Sequence, residues 1–479
     1  MTYHPSFFIK KGERDYMVFS SLTFLFYFLP IVLIIYYIVP KKAKNIVLLI
    51  SSLLFYFYGE PKFGILMIIS ILLTYVHGLL MDKYPKRKKL FLISSIVISS
   101  GLLVVFKYTD FIISNINMVL HSNIDLVKLS LPIGISFYTF QMISYIIDVY
   151  RGEAKVQKSF LKLATYVALF PQLIAGPIVR YTTIEDELDN RKYSFDNFSN
   201  GVRRFVIGLS KKILVANVLA SAISSFSTSQ EKTVLFYWIY GLANALQIYF
   251  DFSGYSDMAI GLGKMLGFNF PENFNYPYIS KSVTEFWRRW HITLGTWFKD
   301  YIYIPLGGNR VGKIKWLRNI LIVWFLTGLW HGAAWNFILW GVLYGVLLVI
   351  EKMGLLKVLE KIPSVISRAY VTLITIIGFI IFSGSSISEI LSNIGGIFGI
   401  GVSKFADLES LYCLKNYAAI FIIAIIGATP IMKNIVSKIS KKASKLVNVI
   451  EPVFLTTLLI VCISYLVDGS FNPFLYFRF

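Results

Sequence analysis

The chain has 479 residues, 56% of them apolar, with a mean hydropathy of +0.65. Its long uncharged runs recur at the length a bilayer demands and far exceed barrel strands, which excludes a soluble globular enzyme and a β-barrel alike. Forty-seven Lys and Arg against 26 Asp and Glu leave a formal charge of +21; in a soluble domain that would suggest nucleic acid, but on a polytopic chain it reads as cytoplasmic loop charge, and no nucleic-acid partner is expected.

In chain order, spans are predicted at residues 18–39, 45–58, 63–80, 90–107, 131–148, 160–178, 205–226, 234–250, 319–350, 369–384, 416–431 and 450–467. Lipid cannot satisfy free backbone groups, so these must be helices, and the fold class is an all-α polytopic membrane protein with about 11–12 membrane segments. The first span runs into Val39-Pro40-Lys41-Lys42 without a small-residue cleavage site and reads as retained rather than as a removable signal. The clusters Lys41-Lys42-Ala43-Lys44, Lys86-Arg87-Lys88-Lys89, Lys211-Lys212 and Lys438-Ile439-Ser440-Lys441-Lys442 fall on one side if the amino terminus is extracytoplasmic. The carboxyl terminus is then extracytoplasmic as well, with residues 319–350 counted as a short hairpin. The two-signed segment 180–204, with Glu185, Asp186, Glu187 and Asp189, is placed inside as a loop or surface helices. No repeat or flexible linker divides the chain, so one membrane domain is expected. Cys413, placed in a loop, and Cys462, placed in a span, form no disulfide framework and have no metal-ligand spacing.

From Asp251 to Lys315 the pattern changes to mixed aromatic, basic and small residues. Trp287, Trp290, Trp297 and Tyr301, interleaved with Arg288, Arg289 and Lys299, fit a helix at the headgroup level. The competing functional reading makes this segment a cytosolic mouth that holds a phosphorylated, adenine-bearing donor such as coenzyme A by charge-assisted hydrogen bonds and stacking. Gly261-Leu262-Gly263 with Gly267 resembles a phosphate loop only in outline, because no strand precedes it, and close helix packing is the better reading. Asp251 and Asp257 are expected to pair with Arg or Lys, and Asp300 and Glu285 to be ion-pair partners.

Between Arg318 and Glu351 no side chain is formally charged, and near the middle lies His331, in Leu329-Trp330-His331-Gly332-Ala333-Ala334-Trp335. A titratable group at membrane depth is a functional-site candidate, here a neutral imidazole able to accept a proton; the plain alternative is a hydrogen bond to a neighbouring helix. His291, 40 residues upstream, follows Arg289 and Trp290 and is read as assisting donor binding or lining an entrance. His4, His77 and His121 are taken as structural or surface residues. There is no His-Glu-x-x-His, no Gly-x-Ser-x-Gly elbow and no Walker loop, which removes support for hydrolase and ATPase readings. A non-enzymatic polysaccharide or ion transporter remains open on composition alone.

Leu131-Pro132-Ile133-Gly134-Ile135-Ser136-Phe137-Tyr138-Thr139-Phe140-Gln141, Pro171-Gln172-Leu173-Ile174-Ala175-Gly176-Pro177-Ile178, the run from Asp251 to Asp257, Phe286 to His291, Tyr303-Ile304-Pro305-Leu306-Gly307-Gly308-Asn309 and Trp330-His331-Gly332 together resemble the membrane-bound O-acyltransferases, in particular the branch that O-acetylates alginate, peptidoglycan and cellulose. The resemblance covers nearly the whole chain from about Met17; residues 1–16 then form an N-terminal extension and residues 17–479 the membrane domain. It implies a ring of tilted transmembrane and re-entrant helices around a central tunnel, with the family's near-invariant histidine at His331 and its second histidine at His291. It also implies acetyl-CoA as donor and no metal. The acceptor would be an extracytoplasmic polysaccharide, the partner a separate serine-esterase-type acetyltransferase, and the location the bacterial cell membrane.

In the related D-alanylation systems a small peptide ending in Phe-x-Tyr-x-x-Phe is thought to accept the acyl group on its Tyr, and this chain ends in Phe474-Leu475-Tyr476-Phe477-Arg478-Phe479. A phenol attacks poorly at neutral pH unless a base removes its proton as the bond forms. His331 is therefore the expected base and Tyr476 the acyl acceptor, against the plain reading of Tyr476 as an aromatic-belt anchor. Arg288, Arg289, Trp287, Trp290, Lys299, Trp330 and Trp335 complete the expected substrate site. D-alanyl transfer is the alternative reaction within the family.

Overall fold

The computed structural model describes residues 17–468, so the proposed extension at residues 1–16 and the Tyr476 tail lie outside the described residues. The regular structure described is helical: α1 (Leu29–Ile38), α2 (Lys44–Gly59), α3 (Pro61–Lys83), α4 (Lys88–Leu120), α5 (Ile135–Arg151), α6 (Phe160–Ala168), α7 (Phe195–Ser210), α8 (Asn217–Thr228), α9 (Val234–Met265), α10 (Val283–Arg289), α11 (Ile292–Phe298), α12 (Lys313–His331), α13 (Trp335–Ile350), α14 (Ser364–Ser383), α15 (Ile387–Ile397), α16 (Leu408–Gly427), α17 (Ile431–Lys442) and α18 (Ser444–Val467), with short turns between.

Among the described residues, six helices are long and apolar enough to cross a bilayer: Pro61–Lys83, Pro85–Leu120, Phe195–Thr228, Ser364–Ser383, Leu408–Gly427 and Ser444–Val467. Each overlies one predicted span. The other predicted spans are shorter, broken or more polar. Residues 160–178 break at Leu169 into α6 and the turn Phe170–Leu173, because Pro171 can start a helix but not continue one. Residues 319–350 are the hairpin that was expected, α12 and α13, which touch where Gly328 faces Gly341: a Cβ on Gly341 would sit 2.3 Å from the Trp324 carbonyl oxygen. The span at 234–250 continues as α9 to Met265, carrying Asp251 and Asp257 inside the protein.

Those carboxylates explain one correction. Lys211 and Lys212 do not form a loop cluster; they sit in a π turn, Lys211–Ala216, in the middle of the Phe195–Thr228 helix. Lys212 pairs with Asp251 at 2.5 Å, and Asp257 pairs with Lys211 at 2.6 Å and Arg204 at 2.8 Å, so their charge is consumed by α9 rather than by a membrane surface. The same helix pair bears out the packing reading for Gly261, where a Cβ would meet the Gly201 carbonyl oxygen at 2.6 Å, whereas Gly263 lies against the Phe270 ring and Gly267, in left-handed geometry (φ 86°), lies against Tyr193 and Arg191. Cys413 is likewise buried within α16, not in a loop.

The buried apolar residues form two clusters. One is built mainly from the chain up to Ile213 with the second half of α9 and α11. The other combines α8 and the first half of α9 with α10 and the helices α13 to α16. Trp330 belongs to the first, and its sequence neighbours Phe337 and Trp340 belong to the second, so the end of α12 marks the seam between them.

Candidate active site

His331 is the last residue of α12. The chain leaves the helix at Gly332 in extended geometry (φ −173°), so no local turn caps the final carbonyls. Adjacent residues of α4 do this instead. The Tyr108 hydroxyl donates to the Leu329 oxygen at 2.5 Å, and the Lys107 ammonium donates to the Trp330 oxygen at 2.5 Å and the His331 oxygen at 3.2 Å. The imidazole is 5% exposed and meets Trp330, Trp340 and Phe382 edge to face, with ring centroids 5.0, 5.0 and 5.2 Å away.

His291 is not at an open interface; it is 2% exposed, at the corner between α10 and α11, in left-handed geometry (φ 43°). Its Nδ1 lies 3.0 Å from the Asn273 side-chain oxygen, which also accepts from the Thr293 hydroxyl at 2.9 Å, while the Asn273 amide donates to Ser256 at 3.0 Å. With an oxygen facing it, Nδ1 carries the proton. Nε2 is left with its lone pair and has no hydrogen-bond partner among the described residues. Burial pushes this imidazole, which lies between the membrane spans, down to about 3, so it is neutral. The Trp330 ring lies 6.0 Å from His291 and 5.0 Å from His331, so the two histidines contact one indole.

The expected headgroup helix is instead two short helices with the corner at Trp290 and His291. That bend turns the tryptophans inward. Trp290 and Trp297 are each 4% exposed; Trp287 packs against Trp324, Trp340 and Tyr344, and Trp297 stacks on Phe140 at 3.8 Å. Interior rings are unavailable for stacking on a bound adenine. Arg288 and Lys299 are exposed, whereas Arg289 is tied to Glu285 at 2.9 Å and to the Asn275 carbonyl at 3.1 Å. Asp300 pairs with Arg180 at 2.7 Å, as expected of a structural ion pair. Trp335 is half exposed and donates to Asn115 at 3.0 Å, apart from the histidines.

A cavity of about 300 Å³ adjoins the end of α12, lined by Lys107, Asp110, Leu131, Phe337 and the turn at residues 332–334, among others. Lys107 and Asn273 were missed in the sequence. Lys107 was detectable: it is a lone cation in the apolar run Leu102-Leu103-Val104-Val105-Phe106-Lys107, and the rule that singles out His331 applies to it equally. Asn273 sits in a polar loop where no local pattern distinguishes it.

A family profile described as MBOAT, membrane-bound O-acyltransferase family, matches residues 53–392. The chain belongs to that family. It is therefore an acyltransferase and a bacterial membrane protein, and the transporter reading falls. A probable alginate O-acetylase of Pseudomonas putida is 38% identical over 97% of this chain and 100% of that protein. The peptidoglycan O-acetyltransferase of Helicobacter pylori is 34% identical over 81% of each. A teichoic acid D-alanyltransferase of Bacillus subtilis is 30% identical over 53% of this chain and 68% of that protein. His291, Trp330, His331, Asn273 and Lys107 all lie within the span the O-acyltransferase profile covers.

Proposed function

We propose that this acyltransferase moves acetyl from cytosolic acetyl-CoA through the membrane for O-acetylation of an extracytoplasmic polysaccharide, with His331 as general base. The observation that carries the reading is a buried imidazole at the end of α12, where the next residues, 332–334, border a cavity, sharing one indole with a second, neutral imidazole. The O-acetylating relatives match over most of this chain and the D-alanylating one over about half, which favours acetyl.

In the first step the Tyr476 oxygen attacks the thioester carbonyl while His331 takes the phenol proton; the C–S bond breaks, and the imidazolium returns the proton to the departing thiolate. The resulting phenyl ester is itself activated, so an acceptor hydroxyl displaces the phenol without ATP. His291, with its Nε2 lone pair, serves as the accessory group. Arg288 and Lys299 offer charge to the donor's phosphates, while Trp330 separates the two imidazoles. A central tunnel of the kind the family resemblance implies would be the route of the acetyl group and would keep water from either ester. A serine-esterase-type acetyltransferase outside the membrane receives it and places it on the polymer. Both termini face outside the bacterial cytoplasmic membrane.

Purified protein in detergent with radiolabelled acetyl-CoA should become labelled or cleave the thioester. His331→Ala should lower the rate by roughly 10²–10⁴-fold in folded protein; full activity in that variant would overturn the base. Tyr476→Phe retains the ring of an anchor but removes the accepting oxygen, so persistence of covalent label in it would sink the relay.

A further inference from the structure

We propose that Lys107 is a positioning residue for His331: its ammonium holds the end of α12 in place and so sets where the base stands. The inference rests on His331 being the base. Three observations carry it. First, α12 ends without a local cap, because Gly332 leaves in extended geometry, so its last carbonyls need donors from elsewhere in the protein. Second, Lys107 supplies donors to two of those carbonyls, at Trp330 and His331, and comes within 3.5 Å of the Ser136 hydroxyl on α5, so one cation joins α4, α5 and the end of α12. A positive charge also complements the negative end of the helix dipole. Third, among the described residues Lys107 forms no ion pair that would divert it, and its side chain borders the cavity that adjoins residues 332–334.

The consequence for catalysis is geometric. The backbone of residue 331 cannot shift without losing its hydrogen bond to Lys107, so the imidazole is held where a reacting hydroxyl must find it. Loss of the ammonium should spare donor binding and slow the chemical step, since displacement of a base by about 1 Å is enough to cost up to roughly 10²-fold.

The test measures acetyl-CoA cleavage by the purified full chain in detergent, with kcat and KM taken separately. Lys107→Met should reduce kcat by roughly tenfold to a hundredfold with KM for acetyl-CoA unchanged, and Lys107→Arg, which retains a charge with several N–H donors, should restore kcat to within a few-fold of the parent. In the His331→Ala background Lys107→Met should cost nothing further, because both changes remove one function. Parent-like kcat in Lys107→Met, a loss confined to KM, or a full additional loss on top of His331→Ala would overturn the proposal while leaving the base in place. Full activity in His331→Ala would overturn both. Should Lys107→Met fail to elute as a folded species, Lys107→Gln, with one neutral donor group, carries the same comparison: an intermediate kcat at constant KM supports the proposal, and parent kcat defeats it.

Discussion

At the scale of single residues, polar groups inside this protein are held by specific partners, and the value of each depends on how far water is excluded. Asp257 accepts from Arg204 and Lys211 and is 14% exposed at its side chain. Asp257→Ala leaves Lys211 without a carboxylate and should lower stability by about 3 kcal/mol, read as a thermal shift in detergent. Glu285→Ala removes a partly exposed i,i+4 partner of Arg289 and should change stability by about 1 kcal/mol or less. Asn273→Ala strands both Nδ1 of His291 and the Thr293 hydroxyl, at a cost of about 1–3 kcal/mol by the same measurement. The importance of an intramembrane histidine could be read from residue type and position, because the cost of an ionisable group in lipid is a local property. The partners could not: Asn273 reaches His291 across 18 residues, and Lys107 reaches Trp330 across 223.

At the scale of elements, helix existence followed from apolar run length, whereas helix continuity followed from packing. The α7 and α9 backbones approach closely through paired glycines. Gly261→Ala would bring a methyl carbon to 2.6 Å from the Gly201 oxygen and 2.7 Å from the Phe205 nitrogen, both backbone atoms that cannot swing aside, and should destabilise by about 1–3 kcal/mol. Gly101→Ala, in α4 with nothing within 4 Å of the new carbon, should be neutral or stabilising by up to about 1 kcal/mol; thermal unfolding of the two variants side by side checks the contrast. The corner at His291 shows the opposite limit. A run of alternating aromatic and basic residues satisfies the rule for an interfacial helix, yet the interior offers the tryptophans Phe140, Trp324, Trp340 and Tyr344 as neighbours, and the chain bends to reach them.

At the scale of the whole molecule, sidedness depends on which segments cross. With the amino terminus outside, a full crossing at residues 160–178 would put residues 180–204, and with them the cluster at Lys438, on the side opposite the clusters at Lys41 and Lys86. The chain breaks at Leu169, and under the proposed orientation this stretch enters and returns, which leaves the three basic clusters on one side. Under the proposed orientation, Lys42→Cys and Lys86→Cys should react with a membrane-impermeant thiol reagent only after the membrane is opened, and Ser122→Cys in intact cells; the reverse pattern would invert the orientation. Membrane class, helical architecture, the hairpin at residues 319–350 and the candidacy of His331 were determined by the sequence alone, because each depends on local apolar length or on a local charge in lipid. The pairing of His331 with His291 across Trp330, the capping of α12 by α4 and the inward turn of the tryptophans were decided only by tertiary structure, because each is a contact between residues distant in the chain, whose energy exists only once the helices have packed.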